Sequence, residues 1–480
     1  MKAKRIGLFA GPIAFALLAF VPSGLHHLPG QGHRPAYAAA VTVWMAVWWF
    51  TEALPIWATA CLPLLLFPAL GVFGQGPVGD AQQSISPYVD PYIFLFMGGM
   101  CIGAAMEHWS LHRRVALNIM RVIGTDPRRL LWGVLVATAA VSMWISNTAT
   151  AVMMVPIGMA LLAQLQREGG KPLSGFGAAI MLAVAYAANV GGIATKIGTG
   201  TNSIFSGFVS EKLHVDLSFL QYLWIGLPFV ALFLPVVWWT LWRLGRHDAP
   251  QSEQGREVLA RELSQLGPMS SQERVVAVVF ALAALLWVVG SPLHALLAPH
   301  LTGLWEGFKF QGKHYEASVA MLAAAALAGA RVLPLTALRR VPWGTLVLLG
   351  GSFAMAEGIS GSGLSAWLTV KLAPMAELPL LGQLLVASTA TVALSAVASN
   401  TATVNLMLNI LPGSLTVLAT TALAASCDFA LPAGTPPNAI VFGSGYVRLP
   451  VMMRVGVTLD LLAAVMLALY GFFYVRFVLG

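Results

Sequence analysis

Two short polar runs lie in the middle of long apolar stretches: Ser146-Asn147-Thr148 within residues 130–166, and Ser399-Asn400-Thr401 within residues 378–413. Asparagine and the hydroxyl side chains both donate and accept hydrogen bonds without carrying charge. At membrane depth every backbone N–H and C=O needs a partner inside the protein, so non-helical backbone survives there only where protein or a water-filled cavity surrounds it. A Ser-Asn-Thr turn in such a place leaves helix-end carbonyls for a cation and helix-start amides for an anion. A single copy would be explained by polar glue between neighbouring helices. A second copy 253 residues later points instead to two re-entrant hairpins that meet.

The other chemistry-bearing pair consists of helix breakers. Gly198-Thr199-x-x-Asn202 interrupts an apolar run over 173–212, and Gly434-Thr435-x-x-Asn438 interrupts one over 414–446. Pro436-Pro437 stop the latter run outright, because proline lacks the N–H and clashes with the preceding turn. Each interruption frees carbonyls at one half-helix end and amides at the other, the ends that favour cations and anions respectively. Lys196 stands two residues before Gly198, and Asp428 six residues before Gly434. A charge near the bilayer midplane is costly and therefore marks a functional candidate.

Composition says what must hold these motifs. The 480 residues are 58% hydrophobic and 10% charged, with a mean hydropathy of +0.77. A soluble chain carries about 25% charged residues, so this is an all-α polytopic membrane protein. The net charge of +8 does not indicate nucleic acid, because most basic residues sit at the ends of apolar runs, as cytoplasmic loops require. Cys61, Cys101 and Cys427 lie inside apolar segments without short Cys or Cys/His spacing, which argues against a disulfide framework or a zinc site. No hairpin or break contains a histidine, and the acid pairs or nucleophile sets that a membrane-embedded enzyme needs are missing, so no catalytic residue is assigned. The basic start followed by apolar residues 6–21 has the form of a signal peptide, but Pro22-Ser23-Gly24 is a poor cleavage site and the segment reads as a first span.

Apolar runs place eleven crossings at 6–24, 36–53, 54–73, 91–122, 173–212, 218–243, 274–292, 316–333, 341–370, 414–446 and 454–478, with the two hairpins besides. The run at 91–122 is expected to break at Gly98-Gly99, and the polar stretch 246–273 reads as a linker. With the N-terminus in the cytoplasm, twenty of the twenty-seven Lys and Arg residues fall inside, six outside, and Lys196 within the membrane, as the positive-inside rule requires. The C-terminus is then extracytoplasmic. On this parity the first hairpin opens from the cytoplasm and the second from outside, which makes the halves inverted repeats with a site between them. Leu95-Phe96-Met97-Gly98-Gly99 and Leu348-Leu349-Gly350-Gly351 extend the correspondence. Glu107, Glu357 and Asp460 are read as lying near span ends, without chemistry, and Glu52 as a structural hydrogen-bonding group.

The paired Ser-Asn-Thr motifs, Thr435-Pro436-Pro437-Asn438-Ala439-Ile440-Val441-Phe442-Gly443, Trp49-Phe50-Thr51-Glu52-Ala53-Leu54-Pro55 and Leu111-His112-Arg113-Arg114-Val115-Ala116-Leu117 together resemble the divalent anion:sodium symporter family over the whole chain. The resemblance implies a homodimer in the cell membrane, with no organic cofactor and with sodium as coupling ion. It also implies an elevator in which a transport domain moves against a scaffold, and C4-dicarboxylates such as succinate, malate and fumarate as substrates. Its scaffold would comprise 1–123 and 274–371, and its transport domain 124–245 and 372–480. Carried onto this chain, substrate contacts fall on Asn147, Thr148, Thr199, Asn400, Thr401, Thr435 and Pro436. A first sodium site falls on Ser142, Ser146, Asn147 and Gly198, and a second on Ser395, Ala398, Asn400 and Gly434.

Three positions depart from the family pattern. Ser395-Ala396 stand where sodium-coupled members usually have Thr-Glu, and Lys196 and Asp428 stand where the family is normally uncharged. These departures raise an alternative: a sodium-independent anion exchanger or proton-linked carrier in which the Lys196 ammonium replaces a sodium ion and pairs with Asp428, itself a proton-carrying candidate. A channel is disfavoured, since two occluding hairpins suit alternating access. Dicarboxylate, citrate, sulfate and other oxyanions all remain open as substrates on the residues alone.

Overall fold

The computed structural model describes residues 2–28, 30–169, 173–249, 255–302, 309–411 and 414–479. Lys171, counted above among the cytoplasmic cations, and residues 250–254 of the expected linker lie outside them. The principal helices are α1 (Lys2–Phe20), α2 (Arg34–Thr51), α3 (Leu62–Leu70), α4 (Pro91–His108), α5 (Leu111–Ile123), α6 (Pro127–Ser142), α7 (Asn147–Gly169), α8 (Ser174–Gly192), α9 (Gly200–Leu213) and α10 (Phe219–Gly245). They continue as α11 (Gly255–Leu266), α12 (Ser271–Val288), α13 (Gly312–Gly329), α14 (Trp343–Gly361), α15 (Leu380–Ser395), α16 (Asn400–Ile410), α17 (Leu415–Ala424), α18 (Pro436–Gly443) and α19 (Leu449–Tyr470). Among the described residues there is no β-strand, only an isolated bridge between Leu28 and Gly32. Among the described residues six helical stretches are long and apolar enough to cross a membrane: Gly76–His108, Asn147–Arg167, Ser174–Gly192, Phe219–Gly245, Ser271–Val288 and Leu449–Leu479.

Local signals set the starts of several helices. Asp90, Asp126, Ser218 and Ser270 each accept a bond from the backbone amide two or three residues on, which satisfies donors that a helix start leaves orphaned. α8 is apolar all round and buried along almost its entire length, the pattern of a helix enclosed by other helices. It packs against α6, α7, α10 and α18, so the second half of the chain closes over the central helix of the first.

Three expectations need correction. The run at 91–122 does not break at Gly98-Gly99: α4 passes through both, and a Cβ on Gly98 would lie 2.6 Å from the Ala320 backbone. Gly98 lets α4 and α13 approach closely, and Gly99 faces Ile197 of the first break. The break comes at Trp109-Ser110, where Ser110 has φ 58° and the amphipathic α5 begins. Likewise, the stretch 246–273 is not merely a linker. It contains α11, which buries Leu259 and joins α5 through Arg113–Glu262, while Arg114 bonds Glu273 at 2.5 Å and the Gly267 carbonyl at 3.0 Å. Finally, Asp460 is not a span-end residue but lies mid-helix in α19, 8% exposed, and accepts the Phe429 amide at 2.8 Å.

Candidate functional site

Both Ser-Asn-Thr motifs form the turn of a helical hairpin, α6 to α7 and α15 to α16. The same pair of bonds fixes each turn. Ser142 Oγ lies 2.8 Å from Asn147 Oδ1 and 2.7 Å from the Ala188 carbonyl, and Ser395 Oγ lies 3.0 Å from Asn400 Oδ1 and 2.6 Å from the Ala425 carbonyl. A buried serine thus ties each hairpin's tip to the broken helix of its own half. Ser146 and Ser399 cap the arms that follow, accepting from Ala149 and Ala402 at 3.3 and 3.2 Å.

The breaks are also built alike. α8 ends at Gly192 and α9 starts at Gly200, so the irregular backbone begins before the Gly-Thr motif itself. Asn202 explains the early stop: its Nδ2 donates to the carbonyls of Gly192 and Thr195 at 2.8 and 2.6 Å. In the second half Asn438 Nδ2 donates to Asp428 and Leu431 at 3.2 and 3.0 Å, the same ten- and seven-residue reach. The asparagine amide supplies the donors that a continuing helix would have offered those carbonyls. Gly192 and Asp428 are therefore equivalent positions, and so are Gly198 and Gly434.

The halves then interlock. α7 of the first hairpin packs against α18, and α16 of the second packs against α9. Asn189 Nδ2 donates to Thr435 Oγ1 at 3.0 Å, and Thr201 Oγ1 lies 3.1 Å from Ser426 Oγ. Tyr186 donates to the Phe429 carbonyl at 3.0 Å, and Thr401 Cγ2 would be 3.3 Å from a Cβ on Gly200. The second arm of each hairpin thus packs against the half-helix that follows the break in the other half, and both members of each pair begin at a helix N-terminus near the tips.

Of the residues expected at the site, Asn147, Thr199, Asn400 and Thr401 are half-buried and Ser146, Thr148 and Pro436 exposed, whereas Ser142, Gly198, Ser395, Ala398, Gly434 and Thr435 are buried. Asn147 and Gly198 meet at Gly192, since a Cβ on Gly192 would be 2.5 Å from Asn147 Oδ1 and one on Gly198 would be 2.4 Å from the Gly192 carbonyl oxygen. Asn400 and Gly434 meet at Asp428: Asn400 Nδ2 donates to Asp428 Oδ1 at 3.2 Å, and a Cβ on Gly434 would be 2.5 Å from Asp428 Oδ2. The residue sets expected for two cations are thus each gathered at one hairpin tip and one break.

Lys196 has a different partner from the one its position suggested. Its ammonium, 1% exposed, donates to Glu316 Oε2 at 2.7 Å and to the Leu217 carbonyl, and lies 5.2 Å from the centre of the Tyr92 ring. Glu316 Oε1 accepts the Phe219 amide at 2.5 Å. Among the described residues no ion pair joins Lys196 to Asp428. The pairing is with α13 because the irregular backbone after Gly192 turns Lys196 towards the start of α10 and Glu316. Sequence reading missed Glu316 and Asn189, and took Thr201 only as part of the helix break; Asn189 was detectable as a lone amide in an otherwise apolar helix.

Similarities to known proteins bear on this arrangement. A family model described as the sodium:sulfate symporter transmembrane region matches residues 4–480. The sodium-dependent dicarboxylate transporter SdcS of Staphylococcus saprophyticus is 36% identical over 502 residues, covering 99% of this chain and 92% of that protein. SdcS of Staphylococcus aureus strain USA300 is 35% identical with the same coverage. In fold, the chain is similar to the crystal structure of the Alcanivorax borkumensis YdaH transporter, with a TM-score of 0.58 and 17% identity over 90% of this chain and 99% of that one.

Proposed function

The chain belongs to the sodium:sulfate symporter family, and on that premise we propose that it carries small dicarboxylates across the cell membrane together with sodium, C4-dicarboxylates such as succinate, malate and fumarate first among them. The observation that carries this reading is the duplicated brace: one serine in each half ties a hairpin tip to a helix break. The full-length similarity to two sodium-dependent dicarboxylate transporters supports it.

Three helix N-termini, those of α7, α9 and α16, would present first-turn amides to a dianion, while α18, which opens on Pro436-Pro437 and whose Asn438 amide is held by Thr435, would add only the positive end of its dipole. Asn147, Thr148, Thr199, Asn400, Thr401 and Thr435 would add amide and hydroxyl donors, with Pro436 at the border. None of these carries a positive charge, so the substrate would be held by many modest bonds and released without breaking an ion pair. Sodium, a hard cation served by oxygen ligands, would bind at the carbonyl-rich side of each tip. Ser142, Ser146, Asn147 and Gly198 would form one site, and Ser395, Ala398, Asn400 and Gly434 the other. A cation there would neutralise the tip and hold the amides in register for the anion, which is the physical basis of coupling.

We also propose that the N-terminus is cytoplasmic, that the halves are inverted, and that the protein is a homodimer working as an elevator. The moving body would be 124–245 with 372–480, and the scaffold 1–123 with 274–371. The exchanger alternative loses its motive, because the charge on Lys196 is already balanced by Glu316. The test is uptake of labelled succinate into proteoliposomes under an inward sodium gradient, against choline. Sodium-stimulated uptake, competed by malate and fumarate and less by sulfate or citrate, is expected. Equal uptake in choline would overturn the sodium coupling, and preferential competition by sulfate would overturn the substrate class.

A further inference from the structure

We infer that Asp428 is itself a ligand of the cation at the second break, which gives that site a formal negative charge that the equivalent site in the first half lacks. The inference rests on the carrier reading above and deepens it, because it makes the two cation sites chemically unequal.

The geometry is specific. Asp428 is 1% exposed, and its Oδ1 accepts from Asn400 at 3.2 Å. Its Oδ2 is buried and has no hydrogen-bond partner among the described residues. That free oxygen is directed over Gly434, where a Cβ would come within 2.5 Å of it and within 3.4 Å of the Leu431 carbonyl oxygen. Gly434 therefore leaves room for the carboxylate, in the place where the first half has a backbone carbonyl over Gly198. Asn400 Oδ1, Ser395 Oγ and the Leu431 carbonyl surround the same tip and break, so the groups gathered there are oxygens of the kind that suit a hard monovalent cation.

Charge makes the same demand. A buried carboxylate with one oxygen unpaired is strongly unfavourable unless a cation or proton compensates it. Among the described residues none of the ion pairs involves Asp428. The amide of the next residue, Phe429, is held at 2.8 Å by a second buried acid, Asp460. That acid adds negative charge rather than removing it.

The first half is built to exclude such a ligand. Gly192 occupies the equivalent position, and even a Cβ there would collide with Asn147 Oδ1 at 2.5 Å. The first site must work with neutral oxygens, while the second has a carboxylate. The second site is then the tighter one and the one that sets the cation requirement for transport.

The experiment measures succinate uptake into proteoliposomes as sodium replaces choline at constant ionic strength, for wild type, Asp428→Asn and Asp428→Ala. Melting of the same purified proteins is followed against sodium without substrate. Removing one partner of a buried charge-assisted contact should raise half-saturating sodium by about tenfold or more, in both uptake and melting. Ser142→Ala, in the neutral site, should shift it less. Unchanged sodium dependence in both Asp428 variants would overturn the inference, as would loss of a pH dependence of uptake with the sodium response intact, which would make Asp428 a proton carrier. A wild type that carries no dicarboxylate but is stabilised by sodium would sink the substrate reading, and the melting arm would still decide the role of Asp428. No sodium effect on wild-type melting would overturn the inference even if a variant failed to fold.

Discussion

Ser142 and Ser395 each present one hydroxyl to two oxygens, an asparagine carbonyl and a backbone carbonyl. A hydroxyl has a single proton, so it can donate to only one of them at a time. A cation seated between such oxygens would relieve the mismatch. Ser142→Ala or Ser395→Ala should therefore cost about 0.5–1.5 kcal/mol in stability, the value of one ordinary hydrogen bond, and weaken the sodium response as well. Melting temperature and half-saturating sodium measure the two effects, and a stability loss with an unaltered sodium response would reduce the serine to a brace. Lys196 presents the opposite case, a charge already compensated. Lys196→Met leaves Glu316 buried and unpaired, which should cost about 3–5 kcal/mol, whereas the double change Lys196→Met with Glu316→Leu should recover much of that loss. Thermal melting of the three proteins decides it, and a double variant no more stable than the single would place the cost elsewhere.

At the scale of elements, the site depends on how closely helices approach. α4 and α13 touch through Gly98, and α8 and α6 through Gly191, where a Cβ would lie 2.6 Å from the Ala320 backbone and 2.4 Å from the Ala139 carbonyl oxygen. Neither neighbour is a flexible side chain that could turn aside. Gly191→Ala should force α6 away from α8 and destabilise the protein by about 1–3 kcal/mol, as overpacking generally does. Because α6 carries Ser142 and α8 carries the Ala188 carbonyl, the same change should lower sodium-driven uptake more than its stability loss explains. Uptake per folded protein, quantified by fluorescence size-exclusion chromatography, is the measurement. The breaks are element-scale devices too: a short asparagine side chain replaces several backbone donors and so permits a helix to stop within a packed interior.

At the scale of the whole molecule, the elevator proposal predicts sliding between the first break and α4. A Cβ on Gly99 would lie 3.2 Å from Ile197 Cβ, near the roughly 3.5–4.5 Å that a disulfide spans. In a background with Cys61, Cys101 and Cys427 replaced, Gly99→Cys with Ile197→Cys should cross-link on oxidation, stop uptake, and recover on reduction. Undiminished uptake by the cross-linked protein would rule out movement at this contact. The ion pair Lys196–Glu316 joins α13 to the first break, so on the elevator proposal it would have to part when the transport domain moves.

The sequence by itself determined the membrane class, the helical architecture, the duplication and the motifs at its centre. Those follow from the cost of exposing polar backbone to lipid and from the local chemistry of glycine, proline, serine and asparagine, which act over a few residues. Tertiary structure alone decided the pairings. Lys196 could be read as a misplaced charge, but only the approach of α13 supplies Glu316, 120 residues away. Gly98-Gly99 could be read as a break, but only the backbone of Ala320 against Gly98 and the Ile197 side chain against Gly99 make them packing contacts. Asp428 was visible as an anomaly, yet its free oxygen over Gly434 emerges only when the broken helix folds back on itself. The physical reason is common to all three: a charge or a glycine announces a requirement for a partner or for space, and the partner or the intruding atom comes from chain distant in sequence.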